Sequence, residues 1–178
     1  SYNGTARSGI VRLNSDGTVD SGFVVGSGVT ATSSRTIYDI EISKAVPDTL
    51  YITGIMNAYR GIEAFGLARL KSTGAIDTSF YRNQLKGTVK PSSTTYTVGY
   101  GYALKERPDG VLVVGGHFTS LNGETTTAYL AAFYSDGSVA YTAKLNNAIH
   151  AIANAADGSG DVLIGGAFTD CNALTRNR

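Results

Sequence analysis

Three sequence phrases recur in a fixed order along the chain, and this recurrence constrains the fold more than any other feature. The first phrase is an apolar-polar alternation that ends in a tight turn, in segments 10–20, 67–77 and 130–140. The second is a shorter alternating segment, in 37–43, 102–106 and 150–155. The third is a turn followed by an apolar run and glycine, in 46–54, 107–116 and 157–166. Corresponding glycines lie 50 to 63 residues apart, a period typical of propellers and other repeat arrays.

Each phrase favours β-structure through its own local chemistry. Asp-Gly follows an alternating segment at 16–17 and at 136–137, which is a strong hairpin signal because glycine accepts positive φ without steric cost. No segment sustains a period of 3.6 residues over three helical turns. The sequence therefore predicts an all-β fold. The carboxylates of Asp16, Asp20, Asp77 and Asp136 are expected to accept hydrogen bonds from the turn backbone.

The apolar run of the third phrase predicts an inner strand that is buried on both faces. Its best copy is LVVGG at 112–116, which is apolar without alternation. Glycines at this place are expected where two backbones approach too closely for a Cβ, or where φ is positive. They are Gly54, Gly115, Gly116, Gly165 and Gly166. Phe118 and Phe168 follow them and are expected to fill the space between neighbouring repeats.

Each repeat supplies three or four strands, which is the content of one propeller blade. We expect one β-repeat domain, residues 1–178, with repeats at 1–57, 58–119 and 120–169 and the start of a further repeat at 170–178. The predicted fold class is an all-β, propeller-like array of about three blades. Propellers typically have about four to eight blades, so the array is expected to belong to a larger propeller or assembly. Its expected partners are copies of itself or the rest of a longer polypeptide.

The same residues carry a resemblance to a known family. RLNSDGTVDSGF at 12–23, followed by PDGVLVVGGHFTSLNG at 108–123, resembles the delta-60 repeat family of bacterial and phage proteins. The resemblance covers nearly the whole chain and implies β-propeller-like repeats within large surface or secreted proteins. The first repeat departs from the pattern, because Thr53-Gly54-Ile55-Met56 replaces Gly-Gly-aromatic. The family implies no catalytic residue for this chain.

The sequence offers no catalytic set, and we expect a non-enzymatic protein without a cofactor. Its two histidines, His117 and His150, lie in no nucleophile motif. His150 shares a repeat position with Tyr38 and Tyr102, a position expected to face a neighbouring blade. One Cys and two distant His form no zinc pattern, and no two carboxylates pair as in a glycosidase.

The first turn also resembles a calcium loop. Its oxygen-bearing residues Asn14, Asp16 and Asp20 alternate around a glycine. The later bidentate Glu is missing, and Thr73 replaces the first Asp in the second copy. Two interpretations stay open at this point, calcium binding confined to the first copy and backbone capping.

Eleven tyrosines supply the candidate ligand-binding residues. Tyr96, Tyr100 and Tyr102 cluster in TTYTVGYGY, while Tyr2 and Tyr59 share one repeat position. Exposed tyrosine beside Asn and Thr can grip a glycan or a protein by ring stacking and hydrogen bonding, and the alternative is that tyrosine fills β positions. Segment 85–101 lengthens the second repeat, and such insertions map to loops on one face, often the binding face.

Charge and composition narrow the class of protein. Fifteen basic and fourteen acidic residues give a net charge of +1, and neither sign forms a run that nucleic acid would require. The apolar stretches are too short for membrane insertion. Low charge and many hydroxyls and amides favour an extracellular, cell-surface or virion protein. We expect a structural or attachment module of a fibre, tail or surface adhesin that binds a cell-surface glycan or protein receptor. The alternative is a carbohydrate-binding or carbohydrate-cleaving propeller.

Overall fold

The computed structural model describes residues 2–4, 8–32, 34–80, 85–89, 96–121, 124–125, 129–172 and 174–175. For 86–89, 96–98, 124–125 and 174–175 it describes the backbone alone. The fold of these residues is all-β, as predicted. The strands are β1 Val29–Thr30, β2 Thr36–Ile42, β3 Thr49–Ile55, β4 Ala58–Tyr59, β5 Ile62–Glu63, β6 Leu67–Lys71, β7 Leu85–Val89, β8 Tyr96–Val98, β9 Tyr100–Glu106, β10 Leu112–His117, β11 Ser120–Leu121, β12 Glu124–Thr125, β13 Leu130–Phe133, β14 Val139–Ala143, β15 Ile149–Asn154, β16 Val162–Gly166, β17 Asp170–Cys171 and β18 Leu174–Thr175.

The longest strands form antiparallel blades. Blade A has the order β2-β3-β6, and blade B has the order β9-β10-β13-β14. Strands β15 and β16 pair like the first two strands of each blade, and we call them half-blade C. A blade therefore begins at the second phrase of the repeat. Blade A crosses the repeat boundary expected at residue 57, and blade B crosses the one expected at residue 119. A short 3-10 helix, Thr78–Phe80, follows blade A. Within the described ranges, no helix has the length and apolar character needed to cross a membrane.

Residues 10–20 form a hairpin that resembles the outer turn of blade A, and we call it the N-terminal hairpin. Leu13 bridges Val19 in this hairpin, just as Leu70 bridges Ile76 at the end of blade A. Both turns are closed by the same backbone bond, from the amide of the turn glycine to the carbonyl three residues earlier. The hairpin packs on blade A through Ile10.

Small hairpins follow the second strand of each blade. They are β4–β5, β11–β12 and β17–β18. The lengthened segment of the second repeat adds β7 and β8 to the sheet of β11 and β12. The insertion therefore enlarges this small sheet and leaves the four strands of blade B unchanged.

Among the described residues, the core consists of three apolar clusters, each between two neighbouring units of the fold. One lies between the N-terminal hairpin and blade A, and a second lies between blades A and B. The third joins blade B to half-blade C. Phe118 is fully buried in the second cluster and Phe168 packs against the third, as expected for residues that fill the space between repeats. The inner strand β10 is buried on both faces from Leu112 to Gly116, which confirms that prediction.

Close backbone approach explains why glycine recurs near the end of the second strand of blade A, blade B and half-blade C. A Cβ at Gly116 would overlap the carbonyl oxygen of Tyr100 on the neighbouring strand. The same overlap would occur between Gly54 and Thr36, and between Gly166 and Ala148. The expectation of positive φ is wrong for Gly116 and Gly166, whose φ values are not positive. Their requirement for glycine is steric.

The preceding position is held by Gly115, which faces half-blade C, and by Gly165. A Cβ at Gly115 would lie 2.5 Å from Cγ2 of Ile149 in half-blade C. A Cβ at Gly165 would meet only the Cβ of Ala151, at 4.0 Å. The two glycines therefore have the same place in the fold but different surroundings.

Candidate binding face

A bulge in the first strand of each blade places one aromatic side chain at the same point. In blade B, Gly101 pairs with Gly116 and Ala103 pairs with Gly115, so Tyr102 is left between two paired residues. The register of blade A leaves Tyr38 unpaired in the same way, and that of half-blade C leaves His150. A bulge re-aims the side chain of its extra residue and is frequent near functional sites.

The three bulge residues form a continuous row across the blades. The ring centroids of Tyr38 and Tyr102 are 5.1 Å apart in an edge-on arrangement, with an angle of 68° between the planes. Tyr102 stacks on His150 at 5.0 Å and 25°. Both separations lie in the range of favourable aromatic pairs, about 4.5–7 Å. The expectation that this repeat position faces a neighbouring blade is thus met.

A branch of three further rings begins at Tyr102. Tyr100 lies 6.5 Å from Tyr102 and also 6.5 Å from His117. Tyr129 continues the contact at 5.7 Å from His117. We call Tyr38, Tyr102, His150, Tyr100, His117 and Tyr129 the aromatic row. Burial, helped by the neighbouring Tyr38 and Tyr100, raises the pKa of Tyr102, so its hydroxyl stays protonated and able to donate.

The aromatic row is open to solvent along much of its length. Tyr38 is 45% exposed, and both His117 and His150 are exposed. Tyr100, Tyr102 and Tyr129 are half-buried, so their rings are held in place while part of each remains accessible. The row therefore combines rings that pack on one another with the exposed residues Tyr38, His117 and His150.

The structure separates the tyrosines that the sequence grouped as candidate ligand-binding residues. Tyr100 and Tyr102 belong to the aromatic row, whereas the side chain of Tyr96 lies outside the described residues. Tyr59 is fully buried, its hydroxyl donates to the carbonyl of Gly74 at 2.9 Å, and burial raises its pKa to about 12. The prediction that Tyr59 is an accessible ligand-binding residue is therefore wrong, because its hydroxyl supports the turn at Gly74 from inside the fold.

Tyr2 has the same bracing role in the preceding repeat. It is half-buried, and its hydroxyl donates to the carbonyl of Gly17 at 2.7 Å. The shared repeat position of Tyr2 and Tyr59 thus reflects support of the turn glycine. Sequence reasoning left Tyr38, His117, Tyr129 and His150 out of the candidate site. The signal for two of them was the shared repeat position of Tyr38, Tyr102 and His150.

The carboxylates next to the row join blade A to blade B. Asp39 accepts a hydrogen bond from the amide of Leu104 at 2.8 Å. Glu106 is buried and accepts from the hydroxyl of Ser43 at 2.7 Å and from the amide of Lys44. Glu41 forms an ion pair with Lys105 at 2.9 Å. These groups fix the two first strands relative to each other, which holds the rings of the row in register.

The turn aspartates cap the backbone two residues ahead. Asp16 accepts from the amide of Thr18 at 2.9 Å, and Asp136 accepts from that of Ser138 at 2.9 Å. Asp20 and Asp77 accept from the amides of Gly22 and Ser79, and each also pairs with an arginine. For Asp16 and Asp136, the hydroxyl and amide bonds from the capped residue hold the carboxyl pKa below its ordinary value.

The three residues of the first turn that could bind calcium already form hydrogen bonds or an ion pair within the protein. Asn14 donates to the hydroxyl of Thr18 at 2.9 Å, and the same hydroxyl donates to Asp16 at 2.6 Å. Asp20 is bound to Arg12 and Gly22. Across the described residues, no group of three or more His, Cys, Asp or Glu side chains is arranged to hold a metal ion.

Antiparallel blades of up to four strands, packed on one another through apolar clusters, define the class of β-propeller repeat proteins. The sequence model described as a beta-propeller domain of unknown function (DUF5122) matches residues 1–23, 47–80 and 107–139, which together make up half of the chain. The chain belongs to this beta-propeller family. The match confirms the predicted propeller repeat. No curated protein and no solved structure matches the chain.

Proposed function

We propose that the chain is a non-enzymatic structural and attachment module of an extracellular or virion assembly, such as a fibre, a tail or a surface adhesin. The aromatic row is the observation that carries the proposal, because it crosses both blades and half-blade C and remains accessible. The resemblance to delta-60 repeats supports the same role, since that family occurs in large surface and secreted proteins. Low charge, 16% of residues, fits an exposed and weakly charged surface.

Attachment through this face rests on ring stacking. Rings that are held by their neighbours lose little conformational freedom when a ligand binds, which favours Tyr as a contact residue. The hydroxyls of Tyr38 and Tyr100 and the imidazoles of His117 and His150 add hydrogen bonds at the edges of the rings. A ligand with flat apolar faces and peripheral hydroxyl groups satisfies both demands, and carbohydrates have this character.

A carbohydrate-binding role is therefore the second candidate, favoured by the row itself. Cleavage of a carbohydrate is less well supported. A glycosidase needs two carboxyl groups about 5–9.5 Å apart that flank the sugar. Asp39 and Glu106 are occupied by backbone amides, and Glu41 is occupied by Lys105. These carboxylates hold blades A and B together instead.

A glycan array with three variants tests the proposal. Tyr38→Ala and His150→Ala remove exposed rings from the row, and Tyr134→Ala, a 51% exposed tyrosine in the β13–β14 turn, is the matched control. We expect the wild type to bind one sugar family, or to bind a cell surface without sugar specificity. Either kind of binding should be lost in both row variants and retained in the control. Sugar binding would favour the second candidate. Binding that survives both row substitutions, or release of sugar fragments by the wild type, would contradict the proposal.

A further inference from the structure

Tyr38 and Tyr102 form a direct contact between two phenol rings of neighbouring blades. Tyr38 lies on β2 of blade A and Tyr102 on β9 of blade B, and their ring centroids are 5.1 Å apart with an angle of 68° between the planes. An edge-on contact turns the edge of one ring toward the other ring. Strands β2 and β9 are each paired within their own blade, so the contact depends on nothing outside the two blades.

The other tyrosine contact in the aromatic row is longer. Tyr100 lies 6.5 Å from Tyr102 at an angle of 43°, and it belongs to the same strand. Among the residues whose side chains are described, Tyr38 and Tyr102 are therefore the closest pair of tyrosine rings. They are also far apart in the sequence and lie in different blades.

The protein holds this pair in a fixed arrangement. Tyr102 is stacked on His150 of half-blade C at 5.0 Å. The carboxylate of Asp39, next to Tyr38, accepts a hydrogen bond at 2.8 Å from the amide of Leu104 on the strand of Tyr102. Holding two reacting groups in contact converts a bimolecular step into an effectively unimolecular one. A reaction between these two rings is therefore favoured over a reaction between molecules.

The pair is accessible from the surface. Tyr38 is 45% exposed and Tyr102 is half-buried, whereas Tyr51 and Tyr59 are fully buried. An oxidant in the surrounding medium can take electrons from side chains that solvent reaches. The two rings therefore combine mutual contact with access for such an oxidant.

We propose that Tyr38 and Tyr102 are a site of oxidative cross-linking, at which a carbon–carbon bond between the two rings joins blade A covalently to blade B. The oxidant is hydrogen peroxide acting through a haem peroxidase. Each phenol loses one electron and one proton and becomes a phenoxyl radical.

The two radicals couple through the ring carbons next to the carbons that bear the oxygens. The hydrogens on the two coupled carbons then move to the oxygens, which restores both aromatic rings and both hydroxyls. The two electrons and two protons released in the first step reduce hydrogen peroxide to two molecules of water. The protein therefore loses two hydrogen atoms in total and gains one carbon–carbon bond.

The cross-link acts on the fold as a disulfide does. It closes a covalent loop from residue 38 to residue 102, and a bond that closes a long loop removes conformations from the unfolded chain. Both rings and both hydroxyls remain in the aromatic row. The inference goes beyond the proposed function, because it concerns a covalent modification and requires no ligand.

Peroxidase oxidation of the 178-residue chain tests the site. Cys171, the single cysteine, is replaced in a Cys171→Ser background so that no thiol consumes the oxidant. The chain is treated at micromolar concentration with hydrogen peroxide and a haem peroxidase. We expect a monomer that is lighter by two hydrogen atoms. A proteolytic digest of this monomer should contain the peptide with residue 38 joined to the peptide with residue 102.

Two phenylalanine variants keep the rings and remove single hydroxyls. Tyr38→Phe is expected to abolish the loss of two hydrogen atoms from the monomer. Tyr100→Phe is the matched control, because Tyr100 also contacts Tyr102, and it is expected to retain that loss. Monomers joined mainly at other tyrosines, a loss that persists in Tyr38→Phe, or no cross-link at an oxidant dose that couples free tyrosine would overturn the proposal.

Thermal melting measures the effect of the bond on the two blades. Cross-linked wild type should melt at a higher temperature than the untreated chain, because the bond restricts the unfolded state. Oxidised Tyr38→Phe should melt at the temperature of its own untreated sample. A melting temperature that the cross-link leaves unchanged would contradict a covalent connection between blades A and B.

Discussion

Arg69 and Asp77 form an ion pair inside blade A, with Nε of the arginine 2.8 Å from Oδ2 of the aspartate and side-chain exposures of 3% and 12%. The other end of the guanidinium reaches into the next blade, where Nη1 donates to the carbonyl of Ser135 at 2.6 Å. The guanidinium also lies 4.9 Å from the centre of the Phe80 ring. One arginine thus closes a turn in its own blade and holds the turn of the next.

At the equivalent positions of the other repeats, the two residues are either both charged or both alanine. In the N-terminal hairpin, Arg12 binds Asp20 at 2.7 Å and donates to the carbonyl of Ser72 in blade A. In blade B both positions are alanine, Ala132 and Ala140. A buried charge without its partner is strongly destabilising, whereas two small apolar residues are tolerated. The simultaneous loss of both charges follows this rule.

The first prediction concerns the coupling of this pair. Asp77→Ala leaves a buried guanidinium without its carboxylate and should lower the free energy of unfolding by about 3–5 kcal/mol. Arg69→Ala/Asp77→Ala, which imitates blade B, should cost less than the sum of the two single variants. The same cycle at Arg12 and Asp20, which are 40% and 27% exposed, should give a coupling of about 1 kcal/mol or less. Urea unfolding measures all six variants, and additive costs at Arg69 and Asp77 would contradict the prediction.

The second prediction concerns acid stability. Burial opposes ionisation of Asp77, but bonds from Ser79 and the charge of Arg69 outweigh it and lower its pKa below the ordinary 3.8. A lowered folded-state pKa means that this stabilisation is present above about pH 4 and is lost as the pH falls through the folded pKa. Wild-type stability should therefore decline in acid more steeply than that of Arg69→Ala/Asp77→Asn. Thermal melts between pH 2 and about pH 6 provide the comparison, and parallel curves would rule out Asp77 as a contributor.

The sequence predicted the fold where the determining contacts are local. Asp-Gly turns and a strand without alternation act within a few residues, so the hairpins and the inner strand β10 were correctly expected. Composition could not separate Tyr59 from Tyr100, because Tyr59 is buried in an apolar cluster and its hydroxyl is bonded to Gly74, fifteen residues away. The aromatic row needs bulges in three separate strands to align. Repeat alignment found the shared position but not the neighbouring His117 and Tyr129, whose contacts arise from strand packing.

The third prediction concerns the crowded glycines. Gly116→Ala should lower the free energy of unfolding by several kcal/mol, on the order of the largest point-mutation effects, because the Cβ overlaps the carbonyl of Tyr100. Gly165→Ala is the matched control, since its Cβ would have 4.0 Å of clearance. Equal melting temperatures for the two variants would show that backbone crowding at Gly116 does not limit stability.

The last prediction concerns the buried hydroxyl of Tyr59. At neutral pH, Tyr59→Phe should lower the free energy of unfolding by about 1 kcal/mol, because the carbonyl of Gly74 loses its donor. Tyr2→Phe removes the same bond at a half-buried site and should cost less, since water can replace the donor there.

In alkali the stability difference between wild type and Tyr59→Phe should become smaller. The folded-state pKa of Tyr59 is raised from 10.0 to about 12 by burial, so the stabilisation from its neutral phenol is complete below pH 10 and is lost as the pH rises toward 12. Tyr59→Phe has no phenol to ionise, so its deficit relative to wild type should shrink across this window. Urea unfolding at pH 7, 10 and 11.5 measures the difference, with Tyr2→Phe providing the background of the remaining titrating groups. A deficit that stays constant with pH would place the ionisation of Tyr59 outside the folding equilibrium.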